Sequence, residues 1–175
     1  MILLKGKQIN LRSMTMEDVD IILNWENDPK NWLFSGTLSP FTSSEINSFI
    51  KNSELGIYQT KQFRFIIELH EGKTALGTMD IFDFDPHNKR AGLGILIADE
   101  SKRGLGYGKQ ALGLAIEYCF KQLGLHQIYC NILSDNQESI ALFQSLGFNQ
   151  CGHKKDWIWD GTNFKDELIF QFIKS

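Results

Sequence analysis

A chain of 175 residues can bury one good core but is too short for two ordinary domains, so a single domain over residues 1–175 is expected. Its 18 basic and 21 acidic residues leave a net charge of −3, which gives no general attraction to nucleic acid or to an anionic membrane. The opening apolar run from Met1 to Leu4 is broken by Lys5 and Lys7, and no later stretch approaches the ~20 apolar residues of a membrane span, so a cytoplasmic protein is expected.

Residues 8–12 read as a first strand. Thr15 with Asp18 makes a helix-start signal before Val19, Ile21, Ile22, Leu23 and Trp25, and Pro29 reads as helping to end that helix. Residues 30–42 carry Trp32, Phe34, Gly36, Pro40 and Phe41 without clean periodicity, so an irregular segment is expected before a short helix near residues 44–51. Residues 62–69 and 74–84 read as a hairpin around Glu71-Gly72-Lys73. Residues 90–98 follow as a third antiparallel strand across Asp85-Pro86-His87-Asn88.

Next comes Glu100-Ser101-Lys102-Arg103-Gly104-Leu105-Gly106-Tyr107-Gly108-Lys109, followed by Leu112, Ala115, Ile116, Cys119, Phe120 and Leu123 at helical spacing. The glycines thus fall on a strand-to-helix turn. Such a turn can aim free backbone N–H groups and the positive end of the helix dipole at one anion. A dinucleotide turn reads Gly-x-Gly-x-x-Gly, where this one reads Gly-x-Gly-x-Gly; a P-loop needs Ser or Thr after its lysine, where Gln110 follows Lys109. Residues 126–133 then read as a strand, 138–146 as a short helix, and 148–157 with 163–173 as a closing pair around Asp160-Gly161. The fold class is α/β (α+β): a central, mostly antiparallel mixed sheet of about seven strands flanked by about four helices.

Cys119, Cys130 and Cys151 are odd in number and form no Cys-x-x-Cys pair, which reads as reduced thiols without a catalytic role. His70, His87, His126 and His153 are too scattered for a metal site, so no metal is expected.

Arg103, Gly106 and Gly108 fit the pattern Arg/Gln-x-x-Gly-x-Gly/Ala, which resembles the acetyl-coenzyme A signature of the GNAT superfamily of N-acetyltransferases. Asn136-Gln137-Glu138-Ser139-Ile140-Ala141-Leu142-Phe143-Gln144-Ser145-Leu146-Gly147-Phe148 is similar to the same family's Asn-x-x-Ser/Ala-Ile-x-Leu-Tyr-x-x-x-Gly-Phe segment. Ile9-Asn10-Leu11-Arg12, with Asp18 and Asn27-Asp28-Pro29, further resembles the branch holding the ribosomal-protein and spermidine N-acetyltransferases. The resemblance covers nearly the whole chain. It implies acetyl-CoA as cofactor and direct transfer of its acetyl group to a primary amine in a ternary complex.

The resemblance also implies a site. Arg103, Gly104, Leu105, Gly106, Tyr107 and Gly108 would hold the cofactor, its pyrophosphate on the N–H groups of Arg103, Gly104, Gly106 and Gly108. The pantetheine arm would lie beside Ile95, Leu96 and Ile97 where strands splay apart. A backbone N–H near Leu96 would polarise the thioester carbonyl, and such donors are worth about 2.7–4 kcal/mol. Asn136, Ser139 and Phe143 would complete the cofactor site, and Trp32 and Phe34 would line the acceptor site.

Two positions depart from the family pattern. The usual glutamate of Arg-Ala-Glu reads Gly92 in Arg90-Ala91-Gly92, and the usual tyrosine reads Phe143. Freeing the proton of a lysine-like amine at pH 7 costs roughly 4.6 kcal/mol, so a base or water relay is wanted. Asp80, Asp83 and Asp85 are nearby candidates; in a regular strand Asp80 and Asp83 face opposite ways. A coenzyme A thiol with a pKa of about 8.5 can leave as thiolate, with Ser134, Ser139 or water available as proton source. Phe143 reads as an apolar wall against the cofactor. Asn136 reads either as an amide orienting the pantetheine or a water, or as a helix N-terminal residue.

The acceptor is expected to be a small-molecule amine, such as a polyamine, aminosugar or antibiotic, or a protein N-terminus, with polyamines ranked last because the tyrosine is missing. The same two departures support an alternative, a non-catalytic acetyl-CoA-binding sensor or docking module. Trp157, Trp159, Phe164, Phe170 and Phe172 on the closing strands could pair across a homodimer.

Overall fold

The alternating apolar positions assemble into one eight-stranded sheet of order β1-β2-β3-β4-β5-β6-β8-β7. The computed structural model describes residues 2–35, 37 and 39–174, with the side chains of residues 33–35 outside that description. The strands are β1 (Leu3–Lys5), β2 (Ile9–Ser13), β3 (Phe63–Leu69), β4 (Ala75–Asp85), β5 (Arg90–Ile97), β6 (Gln127–Leu133), β7 (Asn149–Trp159) and β8 (Phe164–Ile173). The helices are α1 (Val19–Glu26), α2 (Pro29–Ser35), α3 (Ser43–Ser53), α4 (Ile57–Thr60), α5 (Tyr107–Glu117) and α6 (Gln137–Gln144). Every neighbouring pair of strands is antiparallel except β5 and β6.

β1, α2 and α4 are additions to the expected elements. β1 is a short edge strand paired only with β2. α2 replaces part of the expected irregular segment, because Pro29 starts a helix: its fixed φ and missing N–H suit a first turn. Trp157 and Trp159 lie on the sheet's outer strand and are 56% and 55% exposed.

The two faces of the sheet carry different cores. On one, Ile9, Leu11, Phe65, Met79, Ile81 and Leu93 pack with Ala111, Leu112 and Ala115 of α5. α5 runs on into a π-helical turn that buries Cys119. On the other, Ile22 of α1 with Ile46 and Ile50 of α3 close over Met14 and Ile66.

An ion cluster ties the β2–α1 connection to the sheet. Arg12 donates to both carboxylate oxygens of Asp18 at 2.8 Å each and to Glu68 at 2.6 Å. Asp18 also accepts the Thr15 N–H at 2.7 Å. Burial pushes the Asp18 carboxyl up, but Arg12 and Thr15 outweigh it and hold it below the usual carboxylate range. A depressed folded pKa gives stability that is present above the unfolded pKa and lost as pH falls. Asp18→Asn is therefore expected to cost on the order of 3 kcal/mol at pH 7 in urea unfolding, the loss of a buried ion-pair partner. The difference from wild type should narrow progressively as pH falls below about 4, toward the depressed folded pKa of Asp18.

Candidate active site

β5 and β6 pair in only three places, Arg90 with Gln127, Ala91 with Ile128 and Gly92 with Tyr129. Beyond them β6 continues with β8 as far as Leu133, and β5 with β4 as far as Ile97. The strands part, as the resemblance implied, and one edge of β5 is left unpaired. The phase of that edge can be read from three contacts. Ala98 N–H donates to the Leu76 carbonyl on β4 at 2.9 Å, and the Leu96 carbonyl lies over Gly77 so closely that a Cβ there would meet it at 1.8 Å. The Ile97 carbonyl points away from β4 and accepts Arg103 Nε at 3.0 Å. Alternation along an antiparallel strand then turns Leu96 N–H toward β4 and, past the last parallel rung at Gly92 and Tyr129, the N–H groups of Ile95 and Ile97 into the fork. The Leu96 N–H, expected to polarise the thioester carbonyl, therefore faces β4, and the nearest N–H turned into the fork is that of Ile95.

The glycine turn stands at the open end of this fork. Asp99 caps the 3-10 turn Glu100–Lys102, accepting Ser101 N–H at 2.9 Å. Arg103 N–H is taken by the Glu100 carbonyl at 3.1 Å, so it is not the anion donor that was expected. For the N–H groups of Gly104, Gly106, Tyr107, Gly108 and Lys109 no acceptor is found among the described residues. Gly104 and Gly106 have φ of +72° and +86°, and a Cβ on either would meet nothing within 4 Å. Open space therefore lies against a helix N-terminus with free donors, and Lys102, Arg103 and Lys109 add positive charge around it. A Cβ on Gly108 would lie 3.6 Å from Leu142 of α6, 3.7 Å from Ile95 and 3.9 Å from Ile97, which shows how closely the three elements converge.

Across the fork, Asn136 accepts Ser139 N–H at 3.1 Å and so caps α6, leaving its amide NH₂ uncommitted. Ser134 sits in the β6–α6 connection, its N–H donating to Asp166 and its carbonyl accepting Gln137 Nε2, both at 3.0 Å. Phe143 is only 3% exposed and packs edge-on against Phe148 at 5.0 Å. It belongs to the core and is not the cofactor wall expected of it; Leu142, one residue earlier, faces the turn.

On the α1–α3 face, Arg64 of β3 donates to Asp80 of β4 at 2.6 and 3.0 Å and also pairs with Glu26 of α1. Burial opposes the Arg64 charge, but Asp80 and Glu26 outweigh it and raise its pKa. Both Asp80 oxygens are engaged, so Asp80 is not a free base. A cavity of about 200 Å³ opens above it, lined by Phe49 of α3, Arg64, Asp80 and Phe82. Trp32 is not among its lining residues; its Nε1 donates to the Glu26 carbonyl at 2.9 Å and braces α2 on α1. The Phe34 side chain lies outside the described residues.

Beyond Phe82 the β4 ladder shifts by a residue, and Asp83 takes a left-handed φ of +49°. Its Oδ2 accepts the Tyr129 hydroxyl at 2.8 Å, and the Tyr129 ring meets Phe82 edge-on at 5.7 Å. The bulge therefore brings Asp83 to the Phe82 face that also carries Asp80, where a regular strand would have opposed the two. Asp85 is occupied by Asn88 and Arg90. A Cβ on Gly92 would fall 2.2 Å from Phe82 Cε2, so the Phe82 ring fills the space where a side chain would start.

The thiols take no part at this site. Cys119 is buried, which pushes its pKa up to about 12, and Cys130 is raised in the same way. Among the described residues no group of three or more His, Cys, Asp or Glu could hold a metal, and no helix is long and apolar enough to cross a membrane.

A forked sheet with an anion-ready helix start at its mouth is the architecture of an acyl-group transferase. A sequence profile of the acetyltransferase (GNAT) domain matches residues 8–149, and the chain belongs to that family, whose members are N-acetyltransferases. An uncharacterised N-acetyltransferase of Bacillus licheniformis, p20, is 27% identical over 169 residues, spanning 96% of this chain and 94% of that one. The spermidine N(1)-acetyltransferase of Vibrio cholerae is 24% identical over 170 residues, spanning 97% and 95%. The crystal structure of spermidine N-acetyltransferase from Vibrio cholerae in complex with CoA and spermine has the same fold, with a TM-score of 0.82 at 22% identity over 95% of each chain.

The crowding at Gly92 yields a stability test. Gly92→Ala should destabilise the protein by about 1–3 kcal/mol in urea unfolding, as overpacked core positions do. In a Phe82→Ala background the same change should cost much less; equal costs in both backgrounds would show that the ring is not the obstacle.

Proposed function

We propose that the chain is one catalytic domain over residues 1–175 that transfers acetyl from acetyl-CoA to a primary amine by direct attack within a ternary complex. The observation that carries this reading is the set of free N–H donors at Gly104, Gly106, Tyr107, Gly108 and Lys109, opening onto an unpaired strand edge. The donors and the helix dipole suit the cofactor pyrophosphate, with Lys102, Arg103 and Lys109 adding charge. Ile95 and Ile97 offer the pantetheine amides a strand edge to pair with, and an Ile95 N–H directed into the fork suits the thioester carbonyl. Asn136 and Ser139 border the same fork from α6.

The amine enters over the cavity beside Phe49, Asp80 and Phe82. Glu26 and Asp80 outnumber Arg64 there, and Asp83 lies close by, so the surface carries net negative charge and attracts an ammonium ion. This favours a cationic small amine over a neutral one and moves polyamines up from the last place that Phe143 alone assigned them. The Vibrio cholerae relative, a spermidine acetyltransferase, supports the same ordering.

A second reading keeps cofactor binding without transfer, because Gly92 and Phe143 replace the usual base and acid. Calorimetric titration of acetyl-CoA into wild type and Gly106→Glu separates these outcomes. Wild type should bind, and the variant should bind at least ~10-fold more weakly, since a side chain at φ +86° is strained and enters the phosphate space. Equal binding in both proteins would remove the turn as the cofactor site. Acetylation of spermidine, glucosamine or a peptide with a free N-terminus supports transfer, whereas tight binding with no turnover on any of them supports the sensor.

A further inference from the structure

We propose that Tyr129, backed by Asp83, receives the proton of the attacking amine in place of the glutamate missing at Gly92. This rests on the acetyl-transfer reading above.

Position is the first ground. Tyr129 is the last residue of β6 to pair with β5, and its partner is Gly92 itself. It therefore stands at the apex of the fork, next to the point where the free N–H groups of β5 begin. The Phe82 ring covers Gly92 and meets Tyr129 edge-on, leaving the hydroxyl aimed at Asp83 Oδ2, 2.8 Å away.

Backbone conformation is the second. A carboxylate residue is held at φ +49°, on a bulge that turns it onto the Phe82 face. Aspartate and asparagine tolerate that conformation better than most side chains do, and glycine better still. Glycine would suit the backbone best, but it could not accept the Tyr129 proton.

The surrounding charges leave this pair free to act. Asp80 is held by Arg64. Arg90 faces Tyr129 and opposes the effect of Asp83, while itself bound to Asp85 at 3.4 Å. Gln171 of β8, opposite Tyr129, is neutral. Burial first, and then Asp83, raise the phenol pKa above its usual value, so the phenol keeps its proton at neutral pH. The phenol donates to Asp83, and its oxygen retains lone pairs for an incoming N–H.

The step balances as follows. An ammonium substrate first loses one proton to solvent, and the neutral nitrogen attacks the thioester carbonyl carbon. As the C–N bond forms, an N–H proton passes to Tyr129 Oη while the phenol proton passes to Asp83 Oδ2. The carbonyl reforms, the C–S bond breaks and coenzyme A leaves as thiolate. Asp83 is exposed and returns its proton to water, regenerating the phenol. The sum is amine and acetyl-CoA giving amide, thiolate and one proton.

The test uses Tyr129→Phe, Asp83→Asn and Asp83→Gly, assayed with the fastest acceptor among spermidine, glucosamine and a peptide with a free N-terminus. Tyr129→Phe should lower kcat about 100-fold or more near pH 7, the usual scale for removing a general base. The loss should shrink toward pH 10, where hydroxide can take the N–H proton that is released as the C–N bond forms, and acetyl-CoA affinity by calorimetry should stay within about twofold of wild type. Asp83→Gly should raise or preserve the unfolding midpoint yet lose activity with the same pH pattern; Asp83→Asn should lose activity likewise. A Tyr129→Phe enzyme within about threefold of wild type, or a loss independent of pH, overturns the proposal while leaving acetyl transfer intact. Wild type that acetylates none of the three amines overturns the transfer reading, and this proposal falls with it.

Discussion

Three rungs of parallel pairing, ending at Gly92 and Tyr129, hold the two parts of the sheet together, and the site exists because there is no fourth. Continued pairing would have satisfied the N–H groups of Ile95 and Ile97 within the protein and closed the fork. Ending the ladder early leaves a strand edge of the kind proteins normally cover or charge. Here one carbonyl of that edge is taken by Arg103, the residue that also opens the glycine turn. The anion-binding end and the strand edge are thus built as one continuous surface, from Ile95 through the turn to Lys109.

Two arginine clusters secure the elements around that surface. Arg12 joins Asp18 to Glu68, and Arg64 joins Glu26 to Asp80, each time one cation against two carboxylates. Charges with so little solvent are tolerated because each is held by several hydrogen bonds at once. The Arg64 cluster braces α1 against β3 and β4 and leaves residual negative charge beside the cavity. It also divides the labour among the acidic residues of β4: Asp80 is structural, and the bulge at Asp83 keeps that carboxylate out of the arginine's reach.

The alternation of β2 to β6, the helical spacing after Lys109 and the glycine turn itself were legible in the sequence, because each is a local pattern. The Thr42-x-x-Glu45 capping box that starts α3 is an equally local signal. α2 was missed because a proline was taken as a stop where it serves as a start. Asp28, which accepts Lys30 N–H at 3.0 Å, marks that helix entry. What stayed hidden depends on distant pairing. Whether Leu96 or Ile95 faces the fork is decided by register with β4, and the burial of Phe143 by Phe148. Asp83 meets Tyr129 across 46 positions, with no nearby residue to announce it.

A strand edge left open in the free protein makes any ligand that pairs with it part of the architecture. Such a ligand supplies, from outside the chain, rungs that the β5–β6 ladder lacks, and it has no counterpart to bind in the unfolded chain. Folding and occupancy are then one linked equilibrium: at a free ligand concentration 100 times Kd the folded state gains about 2.7 kcal/mol. That gain is comparable to the loss of a buried ion pair. A chain whose fork is filled is therefore harder to unfold than the same chain left open.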